Sequence, residues 1–235
     1  MQHPSVIPQE IAHFNALAAR WWDESGPMRP LHMMNGHRAA WVVQRVRALV
    51  GPGVEILDIG CGAGLLAEAL AKQGFEVLGA DAGAEVIEAA RSHAQGQGLN
   101  LQYRNATAEE LVAEGVKFPV VTALEILEHV ADPVAFLRTL ADLLEPGGVL
   151  FLSTLNRTPQ SFLTAKLGAE YILRLLPKGT HDWKKFITPA ELGRYCREAG
   201  LRLADTAGLS FSSRRRGFVL SHDLSENYLA MAVAD

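Results

Sequence analysis

A glycine-rich turn followed by an acidic strand end is the first place where this sequence could do chemistry. The apolar run VEILDI (54–59) leads into GCGAG and then into the helix-forming residues LLAEALAKQ. Glycine lets a backbone approach a bound molecule closely, and the free amides of the next helix attract polar groups. The next apolar run ends at Asp81, about twenty residues on, where a carboxylate can accept hydrogen bonds from both hydroxyls of a ribose. Gly60 and Asp81 together therefore predict a nucleoside-binding site.

The spacing of the glycines argues against a nicotinamide dinucleotide. After Gly60 and Gly62, the third glycine of the G-x-G-x-x-G pattern would fall on Leu65. A glycine turn alone is weak support for ligand binding, because tight strand–helix turns need glycine for steric reasons as well. Its combination with an acidic residue at the next strand end favours a ligand-binding role.

A second group of reactive side chains follows the apolar run VVTAL (120–124). Glu125, Glu128 and His129 stand at positions i, i+3 and i+4, so on a helix all three would project to one side. Two carboxylates and an imidazole could hold a divalent ion, and oxygen-rich ligation suits Mg²⁺. The alternatives are a packing role, or His129 acting as a general base.

Strands and helices must alternate to position these residues. Short apolar runs at 54–59, 75–81, 99–104, 120–124 and 149–155 predict strands, separated by helical stretches that end at glycines. We expect two N-terminal helices, at 8–23 and 35–49, a capped helix at 188–200 and closing strands after it. This alternation predicts a parallel sheet covered by helices on both faces.

Charge and composition narrow the possible partners. The chain has 235 residues with 22 Lys and Arg against 26 Asp and Glu, giving a net charge of −4, which argues against nucleic-acid binding. The basic residues concentrate between Arg157 and Gly217, a stretch suited to an anionic surface. Its two cysteines, Cys61 and Cys196, form no disulfide framework, which favours a reducing, cytoplasmic setting.

The motifs resemble those of a known enzyme family over almost the whole chain. LDIGCGAG followed by GAD resembles the class I S-adenosylmethionine-dependent methyltransferases. FNALAARWWDESGPMRPLH, ALEILEHVADP, LEPGGVLFLSTLNRT, GAEYILRLLPKGTHDWKKFITPAEL and ENYLAMA are similar to the ubiquinone-biosynthesis O-methyltransferase family. Two features depart from that family: Pro119, where it usually has Asp, and the triplet Arg214–Arg216.

The resemblance implies an α/β, Rossmann-like class I methyltransferase fold with a mostly parallel seven-stranded sheet. It also implies a cofactor, S-adenosylmethionine, and residues to bind it. Arg38 would contact the methionine carboxylate, Gly60 would allow close backbone approach, Asp81 would hold the ribose and Leu124 would line the wall. For the reaction itself, the resemblance favours a divalent ion such as Mg²⁺ on Glu125, Glu128 and His129. His129 and His181, which lies in KGTHDW, are the candidate bases.

The implied substrates are polyprenylated phenols or catechols, including demethylubiquinol. The implied partners are anionic membrane lipids and other enzymes of ubiquinone biosynthesis, and the implied location is the cytoplasm, at the inner face of the membrane. Two alternatives stay open: a metal-free methyltransferase with another small acceptor, and an inactive cofactor-binding scaffold.

The stretch 158–185 predicts contact with a bilayer. SFLTAKLGAEYILRLL places apolar side chains on one broad face, and Lys178, Lys184 and Lys185 follow. An apolar helix with a basic fringe suits a membrane interface, whereas a core helix or a lid over the active site is the alternative. We therefore divide a single domain into N-terminal helices (1–50), a cofactor-binding half (51–155), a lid or membrane-contact insertion (156–187) and a closing part (188–235).

Overall fold

An eight-stranded sheet between two layers of helices forms the described part of the protein. A computed structural model describes residues 5–162, 183–212, 214–215 and 217–234. The strands are β1 (Glu55–Ile59), β2 (Glu76–Asp81), β3 (Leu101–Asn105), β4 (Phe118–Leu124), β5 (Leu144–Leu155), β6 (Leu201–Ser212), β7 (Gly217–Ser221) and β8 (Asn227–Ala234). The α-helices are α1 (Pro8–Leu17), α2 (Arg29–Leu49), α3 (Leu65–Ala71), α4 (Ala84–Ala94), α5 (Ala108–Ala113), α6 (Pro133–Asp142) and α7 (Pro189–Glu198).

The strand order determines which residues meet at one edge of the sheet. The order is β3-β2-β1-β4-β5-β8-β6-β7, and β1 to β5 pair in parallel. β8 is antiparallel to both β5 and β6, so β6 points the same way as the parallel strands. The carboxyl ends of β1 to β6 therefore share one edge, which we call the carboxyl edge.

The expected fold class is confirmed, with one more strand than the seven expected. The additional strand arises because the chain turns back at Arg214 and Arg215 and pairs as β7 on the outer edge of β6. The apolar runs predict strands on both sides of this turn, but they do not show that the two pair with each other as an edge hairpin.

The central strands are buried on both faces, which explains their continuous apolar sequence. Along β5, Leu150 and Leu152 pack in the cluster formed with α5, α6 and α7, whereas Val149 and Phe151 pack in the cluster formed with α2, α3 and α4. The alternation follows from the two-residue period of a strand. The sheet is thereby held rigidly, and so are the ends of its strands.

The N-terminal helices differ from their predicted bounds. α1 ends at Leu17 and gives way to a 3₁₀ turn, Ala18–Arg20, whereas a helix to residue 23 was expected. α2 begins at Arg29, earlier than expected, because Pro30 in its first turn fits a helix start. The capped helix expected at 188–200 is confirmed as α7, where Thr188 and Glu191 form a capping box.

Residues 163–182 lie outside the described residues. They include His181 and most of the apolar stretch for which membrane contact is predicted. Its flanks are described: residues 159–162 are helical and Trp183–Lys185 form a 3₁₀ turn. Among the helices of the described ranges, none is long and apolar enough to cross a membrane.

Candidate functional site

The glycine turn between β1 and α3 is open to a ligand because of its backbone. Gly60 has φ +67°, in the left-handed region, and an added Cβ would lie 1.9 Å from Cδ1 of Ile126. A side chain is therefore excluded at this position by conformation and by space. The turn is fixed to the neighbouring strand, since the amide of Gly60 donates to the carbonyl of Ala80 over 2.8 Å.

Asp81, at the end of β2, shapes this turn as well as facing it. Its two carboxylate oxygens accept from the amides of Gly62 over 2.9 Å and Gly83 over 2.8 Å. Burial raises the pKa of Asp81, and the two amides oppose that shift. A carboxylate offers about four acceptor positions, so lone pairs remain for two ribose hydroxyls.

Arg38 on α2 and Asp58 on β1 carry buried polar atoms that lack partners. Arg38 is 4% exposed and its Nε has no hydrogen-bond partner among the described residues, while its Nη1 lies 4.0 Å from Oε1 of Glu125. Asp58 accepts from Oγ1 of Thr122 over 2.6 Å through Oδ1, but its buried Oδ2 has no hydrogen-bond partner within the described ranges. Burial raises the pKa of Asp58 to about 7.

These orphaned atoms fit an amino-acid group. A buried unpaired donor beside a buried unpaired acceptor costs free energy unless a ligand completes them. The carboxylate and ammonium of a methionine moiety would supply one partner to the guanidinium of Arg38 and one to the carboxylate of Asp58. The residues present therefore fit the donor end of S-adenosylmethionine.

The N-terminal segment covers the glycine turn. The indole of Trp21 fills the space beside Gly62, because an added Cβ on Gly62 would lie 2.3 Å from Cζ2 of Trp21. Trp22 donates through Nε1 to the carbonyl of Ala63 over 2.9 Å and stacks on His93 with ring centroids 3.4 Å apart. Two aromatic side chains thus tie residues before α2 to the wall of the turn.

The segment after β4 does not form the helical turn expected from its sequence. Leu124 ends the strand half-buried, Glu125 has φ +57° and Ile126 has φ −124°, and only Leu127–His129 form a 3₁₀ turn. The spacing of Glu125, Glu128 and His129 therefore does not place them on one side of a helix, because the left-handed residue at 125 breaks the periodicity.

The two carboxylates of this segment bind different strands. Glu125 accepts from Oγ of Ser153 over 2.6 Å and from Nδ2 of Asn227 over 2.9 and 3.0 Å. Glu128 is buried and accepts from Oγ1 of Thr154 over 2.8 Å. Burial, reinforced by the charge of Glu125, raises the pKa of Glu128 to about 8.

His129 is held by α1. Its Nδ1 lies 3.1 Å from Oε2 of Glu10, and its ring meets Phe14 edge-on with centroids 5.2 Å apart. The other oxygen of Glu10 lies 3.4 Å from Nζ of Lys185. Burial lowers the pKa of His129, and Glu10 opposes that shift. Because a carboxylate only accepts, Nδ1 carries the hydrogen, and in the neutral ring Nε2 carries the lone pair.

As arranged, these side chains do not converge on a common metal site. Among the described His, Cys, Asp and Glu residues, no group of three is placed to hold an ion. Glu125 instead bonds to β5 and β8, and Glu128 bonds to β5. His129 contacts α1. The segment is not the helix that would place all three side chains on one side, and the binding of an ion by these residues stays a prediction.

Sequence reasoning assigned no role to several residues that build this site. Asp58, Ser153 and Thr154 had a signal, since each is a polar residue inside an apolar strand. Glu10 and Asn227 had none, because each contacts a residue more than a hundred positions away.

Comparisons with known proteins agree with this geometry. A family model described as a methyltransferase domain matches residues 30–206. The magnesium protoporphyrin IX methyltransferase of Synechocystis PCC 6803, solved with bound SAM, has a TM-score of 0.65 and 19% identity, covering 98% of this chain and 99% of that one. The plantazolicin methyltransferase BpumL has a TM-score of 0.65 and 16% identity, covering 97% of both chains. The chain is thus a methyltransferase with the class I fold.

Curated relatives define its family. A ubiquinone biosynthesis O-methyltransferase from Dinoroseobacter shibae is 47% identical over an alignment of 239 positions that covers 97% of this chain and 96% of the relative. A protein of the same name from Acinetobacter baylyi is 46% identical over 231 residues, with 97% and 96% coverage. The chain belongs to the ubiquinone biosynthesis O-methyltransferase family.

Proposed function

We propose that the protein transfers a methyl group from S-adenosylmethionine to a phenolic hydroxyl of polyprenylated phenols or catechols in ubiquinone biosynthesis, including demethylubiquinol. The observation that carries the proposal is that two buried atoms beside the glycine turn, Nε of Arg38 and Oδ2 of Asp58, lack a hydrogen-bond partner among the described residues. The chain that carries them belongs to this family. Both groups suit the methionine end of the donor.

Five residues, four of them at or near the carboxyl edge and Arg38 on α2, would hold the donor. Arg38 binds the methionine carboxylate and Asp58 the ammonium. Gly60 lets the backbone approach, Asp81 accepts from the ribose hydroxyls, and Leu124 lines the wall. One cation, two acceptors and otherwise close apolar contact match the charge pattern of this donor.

The chemistry asks little of the protein beyond alignment, exclusion of water and removal of one proton. When bound, the sulfonium of the donor already supplies a good leaving group, so an acceptor oxygen can attack the methyl carbon in line. His129 would take the phenolic proton on Nε2, and its contact with Glu10, which holds the hydrogen on Nδ1, supports that role. His181 is the second candidate base and lies outside the described residues.

The described residues fit a divalent ion less well than they fit the methyl donor. An ion would lower the pKa of a catechol and fix its oxygen. However, Glu125 and Glu128 accept from hydroxyl and amide groups of β5 and β8 in the described arrangement. No step above needs the ion, and its requirement has a separate test.

The acceptor carries an isoprenoid tail and therefore resides in lipid. We propose that the protein meets a bilayer reversibly at the inner face of the membrane, through the segment 158–185. The described flanks support this: Phe162 is 46% exposed and lies edge-on to Trp183 with ring centroids 6.0 Å apart. Lys184 and Lys185 follow directly.

A methyl-transfer assay with a short-chain prenylated catechol tests the function. We expect product with the wild-type protein and loss of at least about a hundredfold in rate for His129→Ala. Calorimetry with S-adenosylhomocysteine is the control, since that variant should bind it as the wild type does. Binding of S-adenosylhomocysteine without methylation of any phenol would support the scaffold alternative, and absence of binding would overturn the donor site.

A further inference from the structure

The hairpin of β6 and β7, residues 208–221, projects from the carboxyl edge. β8 begins at Asn227, whose partner on β6 is Leu209, and β5 ends at Leu155, whose partner is the same Asn227. Residues 210–212 and their β7 partners 217–219 therefore extend beyond the neighbouring strands. The tip of the hairpin stands at the edge that carries Asp81 and Glu125.

One face of this hairpin is apolar, and it is exposed in part: Leu209 is fully buried, whereas Phe211 and Leu220 are exposed. Phe211 pairs with Phe218 in the register, and their rings meet edge-on with centroids 5.7 Å apart. Leu220, the partner of Leu209, lies two residues inward on the same face. Phe211 is 47% exposed and Leu220 37%, and both are among the five large apolar side chains that are exposed in the described part of the chain.

The base of the hairpin is fixed on its other face. An added Cβ on Gly208 would lie 1.7 Å from the carbonyl oxygen of Asp223, because the chain crosses β6 there to reach β8. This crossing needs glycine and holds the hairpin in place. The apolar face is consequently presented in a defined direction.

The tip of the hairpin is strongly basic. Arg214 and Arg215 form an exposed turn, and the sequence GLSFSSRRRGFVLS contains three arginines and no acidic residue. The whole chain has a net charge of −4, so this local charge is opposite to that of the molecule. Exposed aromatic residues next to arginines suit the boundary of an anionic bilayer, where cations meet headgroups and aromatic rings enter below them.

We propose that the β6–β7 hairpin docks on the surface of an anionic lipid bilayer, with Arg214 and Arg215 at the headgroups and Phe211 and Phe218 at the acyl boundary. The proposal rests on the proposed function only in that a lipid-borne acceptor must reach the carboxyl edge. It gives a role to the arginine triplet that the family resemblance leaves unexplained. It also adds a second contact, distinct from the segment 158–185.

Sedimentation with vesicles tests the docking. The full chain is mixed with phosphatidylcholine vesicles, with or without phosphatidylglycerol, at low and high salt. We expect salt-sensitive binding to the anionic vesicles. Arg214→Glu with Arg215→Glu should weaken that binding by about tenfold or more. Phe211→Ser with Phe218→Ser should weaken it at both salt concentrations.

A matched pair controls for net charge. Arg197 and Arg202 are exposed at the opposite edge of the sheet, at the end of α7 and the start of β6. Arg197→Glu with Arg202→Glu changes the total charge equally and should leave vesicle binding within about twofold of the wild type.

A fluorescent label reports which edge meets the lipid. Both native cysteines are buried, so an environment-sensitive dye can be placed on Ser212→Cys in the hairpin or on Leu49→Cys at the opposite edge. Emission should shift to the blue with anionic vesicles at position 212 and stay unchanged at position 49.

The outcomes separate this proposal from the proposed function. Weaker vesicle binding by the hairpin variants, with unchanged methylation of a short-chain acceptor in solution, supports the docking. Unchanged vesicle binding by both hairpin variants, or an unchanged dye at position 212, overturns it, even where the wild type binds lipid. Wild-type protein that ignores anionic vesicles at low salt also overturns it, whereas methylation of the short-chain acceptor would stand.

Discussion

Buried charge is concentrated at a few positions around the glycine turn. Asp58 is 2% exposed and Arg38 4%. Burial disfavours the charged form of each, since it raises the pKa of the carboxylate and lowers that of the guanidinium. Such groups usually occur in pairs with full hydrogen bonding or at binding sites. Their unpaired atoms favour the second explanation here.

Asp81 is the residue whose removal should affect donor binding most directly. Asp81→Ala removes a charged acceptor for the ribose hydroxyls and also releases the amides of Gly62 and Gly83. We expect binding of S-adenosylhomocysteine to weaken by roughly 1.5–3 kcal/mol, or about 10- to 150-fold in Kd. Calorimetry measures it, with Asp142→Ala, an exposed aspartate at the opposite edge, as the control. Unchanged affinity in a folded Asp81→Ala protein would show that the ribose binds elsewhere.

Asp58 should make stability depend on pH. Its pKa is about 7 in the folded protein, above the ordinary value of 3.8, so the folded state binds the proton more tightly. The stability contributed by the protonated group is complete below the ordinary value and is lost as pH rises through about 7. Between pH 5 and pH 8 the wild type should lose on the order of 2 kcal/mol through this group, and Asp58→Asn should lose that much less.

Chemical denaturation at the two pH values measures this effect. Comparing each protein with itself cancels any pH-independent cost of the substitution. Equal pH dependence in both proteins would mean that Asp58 is charged throughout this range.

Helices and strands that depend on local sequence patterns were predicted better than those that depend on contacts between distant residues. The strands, the glycine turn and α7 follow from apolar runs, glycines and a Thr188–Glu191 capping box, all of which act over a few residues. The pairing of β7 along the outer edge of β6 and the conformation of Glu125 do not follow from such patterns. On a helix, the side chains of Glu125, Glu128 and His129 would lie on the same side. The left-handed backbone of Glu125, with φ +57°, prevents that arrangement.

The candidate site shows the same division. Gly60 and Asp81 lie at neighbouring strand ends, as their spacing predicts. Gly60 and Asp81 are close because β1 and β2 are adjacent and parallel. The sequence pattern indicates that arrangement. By contrast, Glu10 reaches His129 across 119 positions, and Asn227 reaches Glu125 across 102. Such pairs depend on how whole elements pack, and a single sequence carries no local sign of them.

The connection between β4 and α6 is where the ion requirement can be tested. If a divalent ion binds the acceptor there, exhaustive chelation should abolish methylation and Mg²⁺ should restore it. His129→Ala should be inactive with or without the ion, while its affinity for S-adenosylhomocysteine stays close to that of the wild type. Glu125→Gln keeps an acceptor for Ser153 and Asn227, so it tests charge with little change in packing.

Full activity after chelation would remove the ion from the reaction. His129, oriented by Glu10, would then be left as a plain general base, with His181 as the alternative. Glu10→Gln distinguishes these two, because it should lower kcat with little effect on KM only where His129 takes the proton.

For the whole molecule, the carboxyl edge brings donor, acceptor and lipid contacts together. Parallel strands place Asp58, Asp81 and Glu125 at or near their carboxyl ends, and the segments that follow β5 and β6 leave from the same edge. Because β5 and β6 run in the same direction, the basic segments that follow them lie on the side where the reaction would occur. These segments are 157–185 and the β6–β7 hairpin. A lipid-borne acceptor could then enter without crossing the body of the protein.

This arrangement predicts that two patches share the binding to a bilayer. Phe162→Ser with Lys184→Glu and Lys185→Glu removes an exposed aromatic side chain and reverses two charges next to the segment 163–182. Sedimentation with anionic vesicles should show binding weaker by about tenfold or more than that of the wild type. Because the hairpin patch involves other residues, its losses and these should multiply in a combined variant. Lys185 also contacts Glu10, so affinity for S-adenosylhomocysteine serves as the control for the position of α1. Vesicle binding that survives these three substitutions would leave the segment as a lid, with lipid contact confined to the hairpin.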